Sequence, residues 1–258
     1  MTSPLPSQLD SHASSYESAF PYFRENIIVH AAYGDKVAGY VETSRARSVL
    51  SLGIGHMEVA SRILQQLGNG QFEEYVIVDA SPKIIDVFSS TIAPCPQGLR
   101  IIEGYFETFE YAGQFDVIEA GFVLEHVDDP GVVLHRMRSL LAPGGRLFVA
   151  VPNARSLHRV IGHLSGMLPD VYVLSESDRS LGHKRYFDSE SVRDLIQRCG
   201  FQVRVEEGMM LKPFTTAQLN ALNLSSAVWS ALLTMSRDYP EISNAIYLEA
   251  VAQPPGSA

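Results

Sequence analysis

Two glycines, Gly53 and Gly55, close the apolar run Ser48-Val-Leu-Ser-Leu, and an acid, Asp79, closes the next one, Tyr75-Val-Ile-Val. A strand that ends in glycines lets a ligand reach its backbone with no Cβ in the way, and the helix that follows points its N-terminus at that ligand. A carboxylate at the end of the neighbouring strand is placed to accept both hydroxyls of a ribose. Together these residues read as an adenosine site. NAD is disfavoured, because a dinucleotide fingerprint has a third small residue where this chain carries Glu58, whose charge would sit against a pyrophosphate. A Gly-x-Gly pair also occurs at ordinary strand-to-helix turns, so the surrounding elements have to decide.

Those elements alternate regularly. Strands at 48–52, 75–79, 99–103 and 115–120 are interleaved with helical patterns at about 57–67 and 82–90. A helix at about 130–141, the turn Pro143-Gly144-Gly145 and a strand at 146–151 follow, then a helix at 189–199, a strand from Phe201 to Val205, a helical stretch at about 215–237 and a last strand at 244–251. The pattern predicts an α/β fold: a doubly wound, Rossmann-like, seven-stranded sheet, mostly parallel, with helices on both faces and an antiparallel last strand returning at the sheet edge. Ligands on such a sheet bind beyond the carboxyl ends of the strands. We divide the chain into a Ser/Pro-rich N-terminal tail (1–18), one domain (19–252) and a short tail (253–258). Within the domain lie an N-terminal helical cap (19–44), a cofactor half (45–151), a substrate lid (152–188) and a C-terminal part (189–252).

Composition narrows the function classes. A chain of 258 residues, 46% hydrophobic and 19% charged, can bury one substantial core. Its net charge of −9 has the wrong sign for a protein that neutralises phosphates, so nucleic acid is not expected as a partner. No apolar run reaches a membrane-spanning length, and Met1-Thr-Ser-Pro-Leu-Pro lacks a basic and an apolar leader region, so a cytoplasmic protein is expected. The distant pair Cys95 and Cys199 reads as two buried small hydrophobes rather than a disulfide framework.

The order of motifs resembles the class I S-adenosylmethionine-dependent methyltransferases, in particular the broad bacterial group that methylates small molecules. The resemblance is carried by Val49-Leu-Ser-Leu-Gly53-Ile-Gly55, Val78-Asp79, Glu103-Gly104-Tyr105-Phe106, the long stretch from Phe115 to Pro130 with Glu125-His126 in it, and Leu140-Leu-Ala-Pro-Gly-Gly145. It implies S-adenosylmethionine as cofactor, with no metal needed for its binding. Gly53 and Gly55 would then lie against the methionine and ribose parts, and Asp79, with Ala80 beside it, would take the ribose hydroxyls. Tyr105 and Phe106 would flank the adenine. Gly121 and Phe122 would lie near the sulfonium, with Glu125 and His126 close behind. The chain departs from the family where an acid is usual, at Ser51, and where a third glycine is usual, at Met57. Glu119 and Glu58 are candidates to replace the missing acid at the cofactor's amino-acid end.

Methyl transfer from a sulfonium is an in-line displacement, and a base is needed only when the acceptor must lose a proton, as a hydroxyl does. The segment between Val151 and Ser189 is too long for a simple connection and supplies the candidate substrate lid, beginning with an amphipathic helix through Leu157, Val160, Ile161 and Leu164. His183 in that segment is the first candidate base and His126 its rival, since imidazole titrates near neutrality; His56 is expected to cap or pack in the glycine turn. Asn153, Tyr172 and Tyr186 are candidate substrate contacts. Arg155, Lys184 and Arg185 are candidate clamps for an anionic group. Tyr16, Tyr22 and Phe23 would close over the acceptor from the N-terminal cap. Ala227, Ala231, Leu232 and Met235 recur at helical spacing and read as a core or dimer stripe.

The expected activity is O-methylation of a small polar metabolite, such as a sugar derivative or a natural-product intermediate, by a monomer or homodimer. N-methylation of a small amine, carbon methylation, a non-catalytic methyltransferase-fold binding subunit and an NAD-dependent oxidoreductase are the competing readings.

Overall fold

A computed structural model describes residues 22–254; Tyr16 and Phe20 lie outside them. Seven strands form one sheet: β1 (Ser48–Leu52), β2 (Glu74–Asp79), β3 (Leu99–Glu103), β4 (Phe115–Gly121), β5 (Leu141–Pro152), β6 (Phe201–Met209) and β7 (Ala245–Ala252). Their spatial order is β3-β2-β1-β4-β5-β7-β6, all parallel except β7, which runs antiparallel to both its neighbours. The doubly wound, mostly parallel sheet is therefore as expected. The last strand is not at the edge, however: it is inserted between β5 and β6, and makes two antiparallel pairs. Its sequence accounts for this. Ala-Ile-Tyr-Leu-Glu-Ala-Val-Ala is apolar at nearly every position, as a strand covered on both faces must be, whereas β6 mixes in Gln202, Arg204, Glu206 and Glu207 and takes the edge.

Side chains alternate across the sheet and build two cores. On one face Leu50, Leu52, Val76, Val78, Ile118 and Ala120 pack with Val133, Leu134 and Met137 of α4 (Pro130–Leu140) and with Val192 and Ile196 of α7 (Ser189–Arg198). On the other, Val49, Tyr75, Ile77, Val117 and Phe148 meet Val29, Tyr33, Val37 and Val41 of α1 (Phe23–Thr43) and Val59, Ile63 and Leu67 of α2 (Glu58–Gly68). Each fully buried aliphatic side chain stabilises by about 1.5–3 kcal/mol, which fixes the helices on the sheet.

Helix starts are written locally. Ser81 caps α3 (Pro82–Thr91) by accepting from the Ile84 amide, and Asp129 caps α4 by accepting from the Gly131 and Val132 amides; a proline follows each cap. The segment 152–188, expected as a substrate lid, holds two short helices, α5 (Leu157–Leu164) and α6 (Glu176–Ser180). The single helical stretch expected at 215–237 is two helices, α8 (Thr216–Ala221) and α9 (Ser226–Ser236). Asn223 breaks it by adopting a left-handed conformation (φ 47°), and Ser225 caps the restart. The stripe through Ala227, Ala231 and Met235 faces outward, Leu232 is half-buried, and Trp229 and Ser236 carry the buried face. Cys199 is buried as expected, but Cys95 is exposed. No helix among the described residues is long and apolar enough to cross a membrane.

Candidate active site

A cavity of about 670 Å³ opens beyond the carboxyl ends of β1, β2, β4 and β5. At one end its wall is largely backbone. Gly53 turns the chain out of β1 with φ 84°, and its amide donates to the Val78 carbonyl at 2.7 Å. The Asp79 carboxylate locks this turn to β2, accepting from the Ile54 amide at 2.9 Å and from the Ser81 amide at 2.9 Å. Burial holds its pKa above the usual carboxylate range, partly offset by those amides. Phe106 stands 3.7 Å from where a Gly53 Cβ would be. At Gly121 a side chain is excluded outright, since a Cβ would lie 2.3 Å from the Tyr33 ring. The next residue, Phe122, carries φ 59°, a strained conformation for an aromatic residue that aims its ring at His30, 4.4 Å away between centroids. Ala80 and Tyr105 complete this end.

The other end is made of side chains from distant segments. His183 brings Nδ1 to 3.6 Å from Asp178 Oδ1, its ring stands edge-on to His126 at 4.8 Å, and its amide donates to the Asp178 carbonyl. Asp178 also accepts from the Tyr186 hydroxyl at 2.8 Å. Glu125, only 1% exposed, lies beside both histidines: one ligand atom from each of the three falls within 4.8 Å of the others. Neither Glu125 carboxyl oxygen has a hydrogen-bond partner, and burial pushes its pKa up to about 8, so it is a neutral acid at pH 7. From the N-terminal helix, Tyr22, Glu25, Asn26 and His30 face the same space.

The pattern of a family described as Methyltransferase domain matches residues 23–206. The chain belongs to this family. It is one of the class I S-adenosylmethionine-dependent methyltransferases. The chain is 32% identical over 107 residues to a ubiquinone biosynthesis O-methyltransferase of Marinobacter nauticus, a match covering 41% of this chain and 43% of that protein. A protein of the same name from Xanthomonas axonopodis pv. citri is 25% identical over 185 residues, 69% of this chain and 72% of its own length. The chain thus spans less than half of the first relative. Among solved structures it is similar in fold to a possible histamine N-methyltransferase of Thermotoga maritima (TM-score 0.59, 17% identity, 93% of this chain and 99% of that one). It is also similar to a magnesium protoporphyrin IX methyltransferase of Synechocystis PCC 6803 with bound S-adenosylhomocysteine (TM-score 0.61, 15% identity, 96% and 95%).

Most residues singled out in the sequence of this methyltransferase face the cavity: Gly53, Gly55, Asp79, Ala80, Tyr105, Phe106, Gly121 and Phe122 at one end, and Tyr22, His126, Asn153, His183 and Tyr186 at the other. Three do not. Arg185 spends its guanidinium on the carbonyls of Leu124, Val127 and Asp128, bracing the loop after β4. Tyr172 donates to Asp188 outside the cavity, and Arg155 is exposed. Asn153 lines the cavity, yet its amide nitrogen is committed to the carbonyls of Pro240, Glu241 and Ser243. Lys184 pairs with Asp128 at 2.5 Å. Glu58 does not replace the missing acid: it pairs with Arg62 one turn along α2, at 2.6 Å, away from the cavity.

Sequence reasoning missed His30, Glu25 and Lys212. Lys212, from a stretch with no readable motif, donates to Glu25 at 2.8 Å in a buried pair that Thr216 and Asn244 complete. It also missed Arg159, the buried residue of α5, which stacks on Tyr186 and donates to the carbonyls of Val171 and Val173. His56 bonds Asn26 at 3.1 Å and is held at about 4 by burial, so it is neutral at pH 7. The amphipathic lid helix was legible, but its apolar residues Ile161 and Leu164 are exposed, and the charged residue is the buried one.

Proposed function

We propose that this methyltransferase transfers the methyl group of S-adenosylmethionine to a hydroxyl of a small polar metabolite, with His183 as base. The cofactor end fits the donor: a glycine turn bare of side chains, a carboxylate at the end of β2 for the ribose, Phe106 beside the turn, and Gly121 with no room for a Cβ. When bound, S-adenosylmethionine supplies a methyl carbon that the acceptor oxygen displaces in line from sulfur, leaving S-adenosylhomocysteine. A cavity of about 670 Å³ is within the range that holds small molecules.

The observation that carries the reading is the half-buried His183 beside the buried Asp178 in the same cavity as the glycine turn. A carboxylate 3.6 Å from Nδ1, beyond hydrogen-bond length, favours by its charge the tautomer with its proton there, in which Nε2 is the basic nitrogen. Asp178 is itself held by Tyr186 and by the capping box at the start of α6, so the imidazole is oriented by a fixed partner. Tyr186 and Leu181 line the cavity beside this pair. The relatives named as O-methyltransferases support a hydroxyl acceptor.

The test is transfer from methyl-labelled S-adenosylmethionine to a panel of phenols, catechols, sugars and amines. The expected result is an O-methylated product, with His183→Ala lowering kcat by about 10²–10⁴ while the affinity for S-adenosylhomocysteine is unchanged. A methyl group found on nitrogen with His183→Ala silent would move the protein to the N-methyltransferases. Binding of the cofactor with no turnover on any acceptor would favour a binding subunit.

A further inference from the structure

Glu119 is a carboxylate inside the sheet, 3% exposed, on the one strand that neighbours β1 on the side away from β2. The register pairs it directly with Ser51, the residue two before Gly53. It lines the cavity together with Gly53 and Gly121. Its Oε2 accepts from the Tyr33 hydroxyl at 3.2 Å and from the Gly121 amide at 3.0 Å, and the Ser51 hydroxyl, itself 2.8 Å from the Tyr75 hydroxyl, lies alongside. All these neighbours are neutral. A buried acid with only neutral partners is costly, and a carboxylate has about four lone-pair sites to satisfy. A cation entering the cavity beside Gly53 and Gly121 would meet it.

We propose that Glu119 receives the α-ammonium of the bound methyl donor, so that the negative charge absent at Ser51 is supplied by the adjacent strand at the same level. The proposal rests on the reading above that the glycine turn binds S-adenosylmethionine. The parallel register is what makes the exchange possible: Ser51 and Glu119 are cross-strand partners on one face, so a carboxylate can sit on either strand and present its charge to the same volume. The packing agrees. Tyr33 from α1 bonds Glu119 on one side, and Tyr75 from β2 bonds the neighbouring Ser51.

The free carboxyl is pushed up to about 7 by burial, the bonds from Ser51, the Gly121 amide and Tyr33 opposing this. The titratable groups facing it are the phenols of Tyr33 and Tyr75, both held well above the usual tyrosine range by burial and by Glu119 itself, so neither ionises near neutrality. An arriving ammonium would then displace a proton from Glu119 below pH 7, and affinity would rise with pH until that proton is gone.

The experiment is calorimetric titration of the full chain with S-adenosylhomocysteine and with methylthioadenosine, which has the adenosine and the thioether but no amino-acid end, at pH 6 and pH 8. For the unmodified chain, S-adenosylhomocysteine should bind more tightly at pH 8 and methylthioadenosine equally at both. Glu119→Gln should weaken S-adenosylhomocysteine about ten- to a hundredfold at pH 8, erase the pH difference, and leave methylthioadenosine unchanged. The relocated pair S51D/E119Q should regain most of the loss. Equal affinity of Glu119→Gln for S-adenosylhomocysteine overturns the proposal, as does an equal loss for both ligands, which would mark a structural role. A relocated pair that binds no better than Glu119→Gln overturns the exchange between strands. If neither ligand binds the unmodified chain, it is the donor assignment that fails.

Discussion

At the glycine turn the cavity is held by bonds between residues close in sequence, whereas at the acceptor end it is held by bonds that span the chain. Asp79 reaches back 25 residues to the Ile54 amide and two residues forward to Ser81. Glu25, by contrast, is met by Lys212, Thr216 and Asn244, which lie 187, 191 and 219 residues away. The first end is stiff because strand termini fix it. The second depends on α1, the lid and the C-terminal helices all docking together. On the proposed reading the first would bind a moiety that never varies, while the second could be reshaped by changes in any of three segments without disturbing the sheet.

The largest effect should come from breaking the acceptor end. Lys212→Met removes the cation from a buried pair and leaves Glu25 uncompensated, so unfolding stability should fall by about 3–5 kcal/mol. Thermal unfolding reads the loss, and affinity of the still-folded protein for S-adenosylhomocysteine should hold within about twofold. A parallel collapse of cofactor affinity would show that the two ends are not independent. The converse change is Asp79→Asn, expected to weaken S-adenosylhomocysteine by about ten- to a hundredfold in a binding titration while Glu25 and Lys212 stay paired. Stability of the free protein should change less than with Lys212→Met.

The third test uses pH to separate the ends. Glu125 titrates at about 8 in the folded chain and near 4.5 when unfolded, and Glu119 at about 7, so the folded state binds more protons between those limits and stability falls as pH rises through them. His56 and His158, pushed down to about 4 and 3 by burial, act oppositely: below pH 6.5 the unfolded chain takes up protons, and stability rises with pH up to that point. Above 6.5 only the acids remain. From pH 6.5 to 8 the unfolding free energy should drop by about 2 kcal/mol through Glu125 alone, and Glu125→Gln should remove that part. Saturating S-adenosylhomocysteine should cancel the Glu119 share and leave the Glu125 share, which unfolding curves with and without ligand would resolve.

How much of this was legible follows from the same contrast. The glycine turn, Asp79 and the β4 segment are read from residues within one strand-turn-helix unit, where apolar run length and capping residues fix the geometry. The lid was visible as an overlong connection, and His183 as its imidazole. Lys212 was invisible, because a lysine beside Pro213 says nothing until α1 brings Glu25 to it. Arg185 and Arg155 misled for a related reason: cations on a loop look alike in sequence, and only the fold shows that one serves the carbonyls after β4 and the other stays in solvent. The place of β7 was misread as the edge, although its nearly unbroken apolar run and the charges of β6 point to the order the sheet adopts.

That place has a consequence for how the molecule comes to exist. On a growing chain, β1 to β5 can pair as they emerge, each beside a strand already made. β6 cannot join them, since the position next to β5 belongs to a strand synthesised about 40 residues later. Until Ala245–Ala252 arrives, β5 has a bare edge and β6 has no partner, and the carbonyls of Glu241 and Ser243 that fasten Asn153 at the cavity wall are made only just before it. The far end of the cavity is therefore completed after the glycine turn, and a ribosome that stalls in the final turn of α9 would leave a chain whose glycine turn is made while β6 is still unpaired.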